Sequence, residues 1–147
     1  MTILLQLITA FLGSLGFAML FNVRKDKLLL CSLGGLLAWS VYLAAGYISS
    51  SDVVRYFIAS IIFTIYAEIM ARIKKTPATT FIVSAAIPLI PGGYLYETMQ
   101  YVMLRDWASF SSLGLWTLLL AFAIVAGMLV AVTLRDILLF FTKKSNI

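Results

Sequence analysis

The sequence predicts an all-α integral membrane protein of about five transmembrane helices, and three observations carry that expectation. The chain has 147 residues, is 63% hydrophobic and only 12% charged, and has a mean hydropathy of +1.04; a soluble domain carries about 25% charged residues. Its apolar residues fall into runs of about 20, the length of helix that crosses ~30 Å of hydrocarbon. Short polar connections, several rich in Lys and Arg, separate the runs. A single transmembrane domain over residues 1–147 is expected, with no length left for a soluble catalytic domain.

The first span runs from about Thr2 to Asn22. No basic stretch precedes it and its flanking positive charges follow it, so it reads as a retained helix and not as a cleaved signal. After Val23-Arg-Lys-Asp-Lys27, the second span covers Leu28 to Ile48. It holds the lone Cys31, which makes neither an intrachain disulfide nor a metal cluster. Ser49-Ser-Ser-Asp52 leads into the third span, Val54 to Arg72. Ile73-Lys-Lys-Thr-Pro-Ala78 leads into the fourth, Thr79 to Leu104, which is interrupted at Pro91-Gly92-Gly93. Arg105-Asp-Trp-Ala-Ser-Phe-Ser-Ser112 precedes the fifth, Leu113 to about Leu134 with a continuation toward Phe141. Trp107 and Trp116 fall where an interfacial aromatic belt is expected. Small residues recur along three spans: Gly13 and Gly16, Gly34 and Ala38, and Ala123, Gly127 and Ala131. Such faces let helices approach closely in lipid, within one bundle or against another subunit, a second copy included.

With five spans, one side of the membrane collects Arg24, Lys25, Lys27, Arg72, Lys74, Lys75, Arg135, Lys143 and Lys144, and the other only Arg55 and Arg105. Cytoplasmic loops carry the excess of Lys and Arg, so the N-terminus is expected outside and the C-terminus inside. The net charge of +5 is thereby read as orienting the chain in the bilayer, with no nucleic-acid partner. There is no histidine, so the usual proton shuttle and metal ligand is absent. No Ser–His or metal constellation points to an enzyme, and no metal or cofactor is expected.

The most informative segment is Ile87-Pro-Leu-Ile-Pro-Gly-Gly-Tyr-Leu-Tyr-Glu97. Pro91 removes a backbone donor and clashes with the preceding turn. Gly92 and Gly93 permit unusual backbone angles, and Pro88 loosens the turn before. From Thr79 to Pro91 a helix rises about 18 Å at ~1.5 Å per residue, which puts the break near the bilayer midplane. A half-helix starting at Gly93 or Tyr94 would present unpaired amides and a positive dipole end there. A carboxylate is a natural partner for that end, and broken helices at mid-membrane are how transporter sites are often built.

Two of the six acidic residues, Glu68 and Glu97, lie within spans. Glu97 follows the break on a face shared with Gly93, Tyr101 and Arg105. Desolvation favours the neutral form of a carboxyl, so Glu97 is the candidate proton-binding group, with Tyr94 and Tyr101 as hydrogen-bonding neighbours. An ion pair with Arg105 is the alternative. Glu68 precedes Arg72 by four residues, which suits a structural (i, i+4) pair. It also continues a polar row with Ser60 and Thr64. Thr76, Thr80 and Ser84 form a second row before the break, and a helical hairpin across the basic turn would set the two rows face to face.

The segment Ala67-Glu-Ile-Met-Ala-Arg-Ile-Lys-Lys-Thr-Pro-Ala-Thr-Thr-Phe81, followed by Ile87-Pro-Leu-Ile-Pro-Gly-Gly-Tyr-Leu-Tyr96, resembles the threonine/serine exporter family. The matching pieces are Glu68 with Ala71-Arg72, the Pro77-Ala78 step, and Pro88 with Pro91-Gly92. The likeness is to the C-terminal membrane half, which also occurs as a separate small subunit. The resemblance implies export of small hydroxy amino acids or, in two-subunit relatives, of dicarboxylates such as succinate. It implies a bacterial cytoplasmic (inner) membrane setting and a larger partner subunit with a cytoplasmic hydrolase-like region and its own helix bundle. Five spans with the N-terminus outside would complement an inverted five-span partner. Pro91, Gly92, Gly93, Tyr94, Glu97, Tyr101, Glu68, Thr80 and Ser84 are the expected substrate and proton pathway. The alternatives are a scaffold subunit without a site and a channel-forming subunit.

Overall fold

The computed structural model describes residues 2–144, and side chains through residue 137. Lys143 and Lys144, counted above with the basic side, have side chains outside that range. The described residues form helices joined by short turns. These are α1 (Ile3–Leu20), α2 (Lys25–Ala45), α3 (Asp52–Ile73), α4 (Thr79–Ala86), a 3-10 turn (Ile87–Leu89), α5 (Gly92–Met103) and α6 (Trp107–Lys144). Four of them are long and apolar enough to cross a membrane. The bent pair Thr79–Leu89 and Gly92–Met103, turned by 58°, makes a fifth span if counted as one. The interrupted fourth helix expected from Pro88 and Pro91 is therefore present.

Three turns share one construction. Asn22, Lys75 and Arg105 adopt left-handed backbone angles (φ 53, 47 and 57°). In each, the next amide reaches back to close the helix: Val23 N to Ala18 O, Thr76 N to Ala71 O, Asp106 N to Tyr101 O, all at 3.0 Å. This is the Schellman ending, which satisfies helix-terminal carbonyls and turns the chain in two residues.

Three helices begin earlier than the hydropathy suggested: α3 by two residues, at Asp52, and α2 and α6 by more. The first turn of α2 contains Lys25, Asp26 and Lys27; Asp26 suits a helix N-terminus. The first residues of α6 include Trp107 to Ser112, because the Ser109 amide donates to Asp106 Oδ1 at 3.1 Å in an N-cap arrangement. The Ser109 hydroxyl and amide hold the exposed Asp106 carboxyl below its usual range. With 38 residues, α6 is about 57 Å long, well beyond a ~30 Å hydrocarbon core.

Helix α2 is central and packs on α1, α3 and α4, while α3 also packs along α6 and α5 packs on α6. Small residues set these contacts, as expected where dispersion and close approach replace the hydrophobic effect. Gly127 of α6 lies against Ser60, and a Cβ there would stand 2.6 Å from the Phe57 carbonyl oxygen, so only glycine permits the approach. Two buried clusters result. One holds Ala38, Tyr56, Ala59, Phe63, Ala85, Leu89, Leu120, Ala123 and Ile124. The other, toward the end bearing Arg24, Lys27, Arg72 and Lys75, holds Ala18, Cys31, Ala67, Ala71 and Phe81.

Candidate functional site

The break is a sequence of three local devices. The 3-10 turn carries Pro88, and Ile90 N bonds Ile87 O at 3.2 Å. Ile90 then extends (ψ 123°) and Pro91 sits at φ −74°, ψ 58°, with Gly92 N on Ile90 O at 2.7 Å. Those angles and that bond define an inverse γ-turn centred on Pro91. The first bond of α5 is Leu95 N to Pro91 O at 3.0 Å, so the Gly93 and Tyr94 amides precede any helical acceptor. Neither Gly92 nor Gly93 uses a left-handed angle, which corrects the expectation of unusual backbone there. Both are exposed, and a Cβ at either would meet nothing within 4 Å. What these two glycines provide is bare backbone at the mouth of a half-helix.

On the other side of the break, α1, α2 and α4 form a seam with a hollow at each end. One hollow, about 330 Å³, is lined by Gln6, Thr9, Ala10, Gly13, Trp39, Ile87 and Pro88; Trp39 Nε1 donates to Gln6 Oε1 at 3.3 Å. The other, about 530 Å³, lies at the basic end among Asn22, Arg24, Lys27, Thr76, Thr79 and Thr80. Between them the helices touch. Gly35 lies directly against the Ser14 side chain, and a Cβ on it would stand 3.3 Å from Pro88 Cγ. Ser14 Oγ is buried there without a hydrogen-bond partner, a condition it shares with Thr64 Oγ1 among the described side chains. Orphaned buried hydroxyls are costly and call for an explanation.

The expected site residues divide among three places. Thr80 and Ser84 belong to the seam: Thr80 lines the basic hollow, and Ser84 is fully buried with Oγ 3.4 Å from Thr80 O. Cys31 Sγ reaches the same carbonyl at 3.7 Å. Pro91 is buried, and Tyr94 extends toward the start of α3, where its hydroxyl donates to Asp52 Oδ2 at 3.3 Å. Glu97 is exposed on the surface of α5 and Tyr101 is half-buried. The expected burial of Glu97 is therefore not found within this chain. Arg105 stands in the left-handed turn beyond α5, and among the described residues the ion pairs do not include Glu97.

Glu68 also departs from expectation. Its partner is Arg135 of α6, with Nη1 2.7 Å from Oε2, and not Arg72. Arg135 further holds Asp136, its Nη2 lying 2.6 Å from Oδ1. With Ser60 against Gly127, this turns the polar row of α3 toward α6. The row on α4 instead meets α2 through Cys31. The two rows thus pack against different helices, set by the rotation of α3 that brings Ser60 to Gly127 and Glu68 to Arg135.

Sequence reading missed Asp52. It gathers Tyr42 (3.2 Å), Tyr94 (3.3 Å) and Arg55 (3.2 Å). Trp39 stacks on Tyr42, and Tyr42 packs on Tyr56, each with ring centroids 4.9 Å apart. The Asp52–Arg55 spacing was the available signal; that Tyr94 would join it depends on the direction of the bend.

The described residues thus combine a bundle of apolar spans, a broken helix, a seam with two hollows and one unpaired hydroxyl, Ser14 Oγ, at its constriction. No curated protein and no solved structure matches the chain. The family model for threonine/serine exporters matches residues 6–134, which takes in α2 to α5 whole, most of α1 and α6, the break and both hollows. The chain therefore belongs to the threonine/serine exporter family.

Proposed function

We propose that this chain is the small membrane subunit of a secondary exporter for small carboxylate-bearing metabolites, either threonine/serine-type amino acids or dicarboxylates. It works in a bacterial inner membrane with its N-terminus outside. One observation carries the reading: the broken helix borders a seam hollowed at both ends and closed in the middle by the Ser14–Gly35–Pro88 contact. Alternating access needs a site reached from one side at a time, and a closed contact between two hollows is where such a barrier would lie.

A larger partner subunit completes the other side of the break. Gly92, Gly93, Tyr96, Glu97 and Gln100 are exposed on α5, and a carboxylate left against lipid costs a few kcal/mol, so such groups normally face a partner or a cavity. The partner's surface turns that face into a cavity wall, where Glu97 binds and releases the coupling proton.

Counterflow of labelled threonine, serine and succinate in vesicles holding the chain with its partner tests this reading. Saturable counterflow is expected for the wild type, and Glu97→Gln is expected to lose gradient-driven export while remaining assembled. Unchanged export by Glu97→Gln rejects the proton role. Export that survives alteration of Pro91, Gly92 and Glu97 together rejects the site in favour of a scaffold.

A further inference from the structure

We propose that Lys27 is the anion-binding centre of a solute-admission site at the basic end of the α1–α2–α4 seam, where it holds the carboxylate of the transported molecule. This rests on the export reading and adds to it a second site, one half of the seam away from the break.

Lys27 lies in the first turn of α2 and is only 8% exposed. The ion pairs among the described residues join Arg24 to Asp26, Arg55 to Asp52, and Arg135 to Glu68 and Asp136, leaving Lys27 without a carboxylate. The stem is packed in the seam and the ammonium meets the hollow that Lys27 lines, with no described carboxylate in reach. Its adjacent acid, Asp26, is engaged by Arg24 at 3.4 Å. The hollow it lines is the larger of the two on this seam and adds Arg24, Asn22, Thr76, Thr79 and Thr80.

The same wall holds the start of α4, an eight-residue helix whose N-cap, Ala78, offers no side-chain cap. The Thr80 and Phe81 amides are taken by Pro77 O and Ala78 O, at 3.2 and 3.0 Å, so what this helix start adds beside the ammonium and the hydroxyls is its positive dipole end. Ammonium, guanidinium and hydroxyls around one hollow, at the positive end of a helix, form a donor set suited to carboxylate or phosphate oxygens. The side of the seam away from solvent continues through Cys31, Thr80 and Ser84 toward Pro88. A carboxylate neutralised at Lys27 would stand at the head of that path.

The purified full-length chain in phosphatidylcholine nanodiscs is titrated with labelled serine and with labelled succinate. Wild-type binding that falls about tenfold or more in Lys27→Met and returns in Lys27→Arg is expected, since a charged hydrogen bond is being removed and restored. Thr80→Val keeps the charge and volume, and about threefold weaker binding is expected from the lost hydroxyl. Wild-type binding of neither solute overturns the site, and so does binding that both Lys27→Met and Thr80→Val leave unchanged. Phosphatidylglycerol nanodiscs supply the lipid arm: Lys27-dependent retention of that lipid without displacement by either solute assigns the hollow to a headgroup and overturns the proposal. Counterflow separates the two readings. Lys27-dependent binding without counterflow upholds the site and rejects export, whereas counterflow whose KM ignores Lys27→Met rejects the site alone.

Discussion

Replacing Pro88 and Pro91 together by alanine is expected to abolish export while making the protein harder to unfold. Each proline inside a helix costs about 3 kcal/mol against alanine, so the pair biases the segment toward its bent form by up to about 6 kcal/mol. A shift of that size moves a two-state equilibrium by about four orders of magnitude. Alanine at both positions restores two amide donors and removes two ring clashes. The 3-10 turn and the γ-turn at Pro91 then have no cause, and the 58° bend relaxes toward a continuous helix. Gly92 and Gly93 remain, but at about 1 kcal/mol each they do not hold the break open alone. The signature is two-sided: a raised unfolding temperature in detergent together with counterflow at background. Wild-type counterflow in the double variant would mean that the bend serves packing only.

The second large effect concerns the Glu68–Arg135 pair, at 2.7 Å with side chains 12% and 33% exposed. Removing one partner of a fully buried pair costs about 3–5 kcal/mol, because the survivor is stranded. The partial exposure of Arg135 lets solvent screen it, so roughly 2 kcal/mol is expected for Glu68→Gln or Arg135→Gln. The exchange Glu68→Arg with Arg135→Glu should recover much of that loss, whereas Glu68→Arg alone should unfold more easily than Glu68→Gln. Arg72→Gln should change stability little, since Arg72 is not the partner. Denaturant unfolding of the full chain measures all five variants. A larger loss for Arg72→Gln than for Arg135→Gln would restore the (i, i+4) pairing and contradict the α3–α6 contact.

Much of this architecture was legible in the residues. Spans of about 20 apolar residues and the Pro-Leu-Ile-Pro-Gly-Gly run located the helices and the break, because lipid leaves the backbone few choices and proline leaves fewer. The small-residue faces were legible too, and Gly127 packs as its spacing suggested. What escaped were facts of direction. The sequence places Glu68 four residues from Arg72, but only the rotation of α3 decides that it meets Arg135. Lys27 reads as a loop residue because hydropathy ends the span at Leu28, yet α2 starts at Lys25 and draws it into the seam. Ser14 and Gly35 carry no signal in the sequence that sets them apart from their neighbours Gly13, Gly16 and Gly34. Their contact with Pro88 joins residues far apart in the chain, and nothing local announces it. Glu97 drew attention as an acid within a span; that it lies on the open face of α5 follows from the bend angle, which no local pattern encodes.

Ser14 is the most direct place to test whether solute crosses at this constriction. In a Cys31→Ser background, Ser14→Cys is exposed to a small membrane-impermeant thiol reagent from each side of the vesicle while counterflow proceeds. Labelling from both sides, slowed by excess threonine or serine, is expected if the Ser14–Gly35–Pro88 contact opens alternately to the two hollows. A thiol that transporting vesicles never expose to either side, or whose labelling ignores the solute, would contradict a path through the seam.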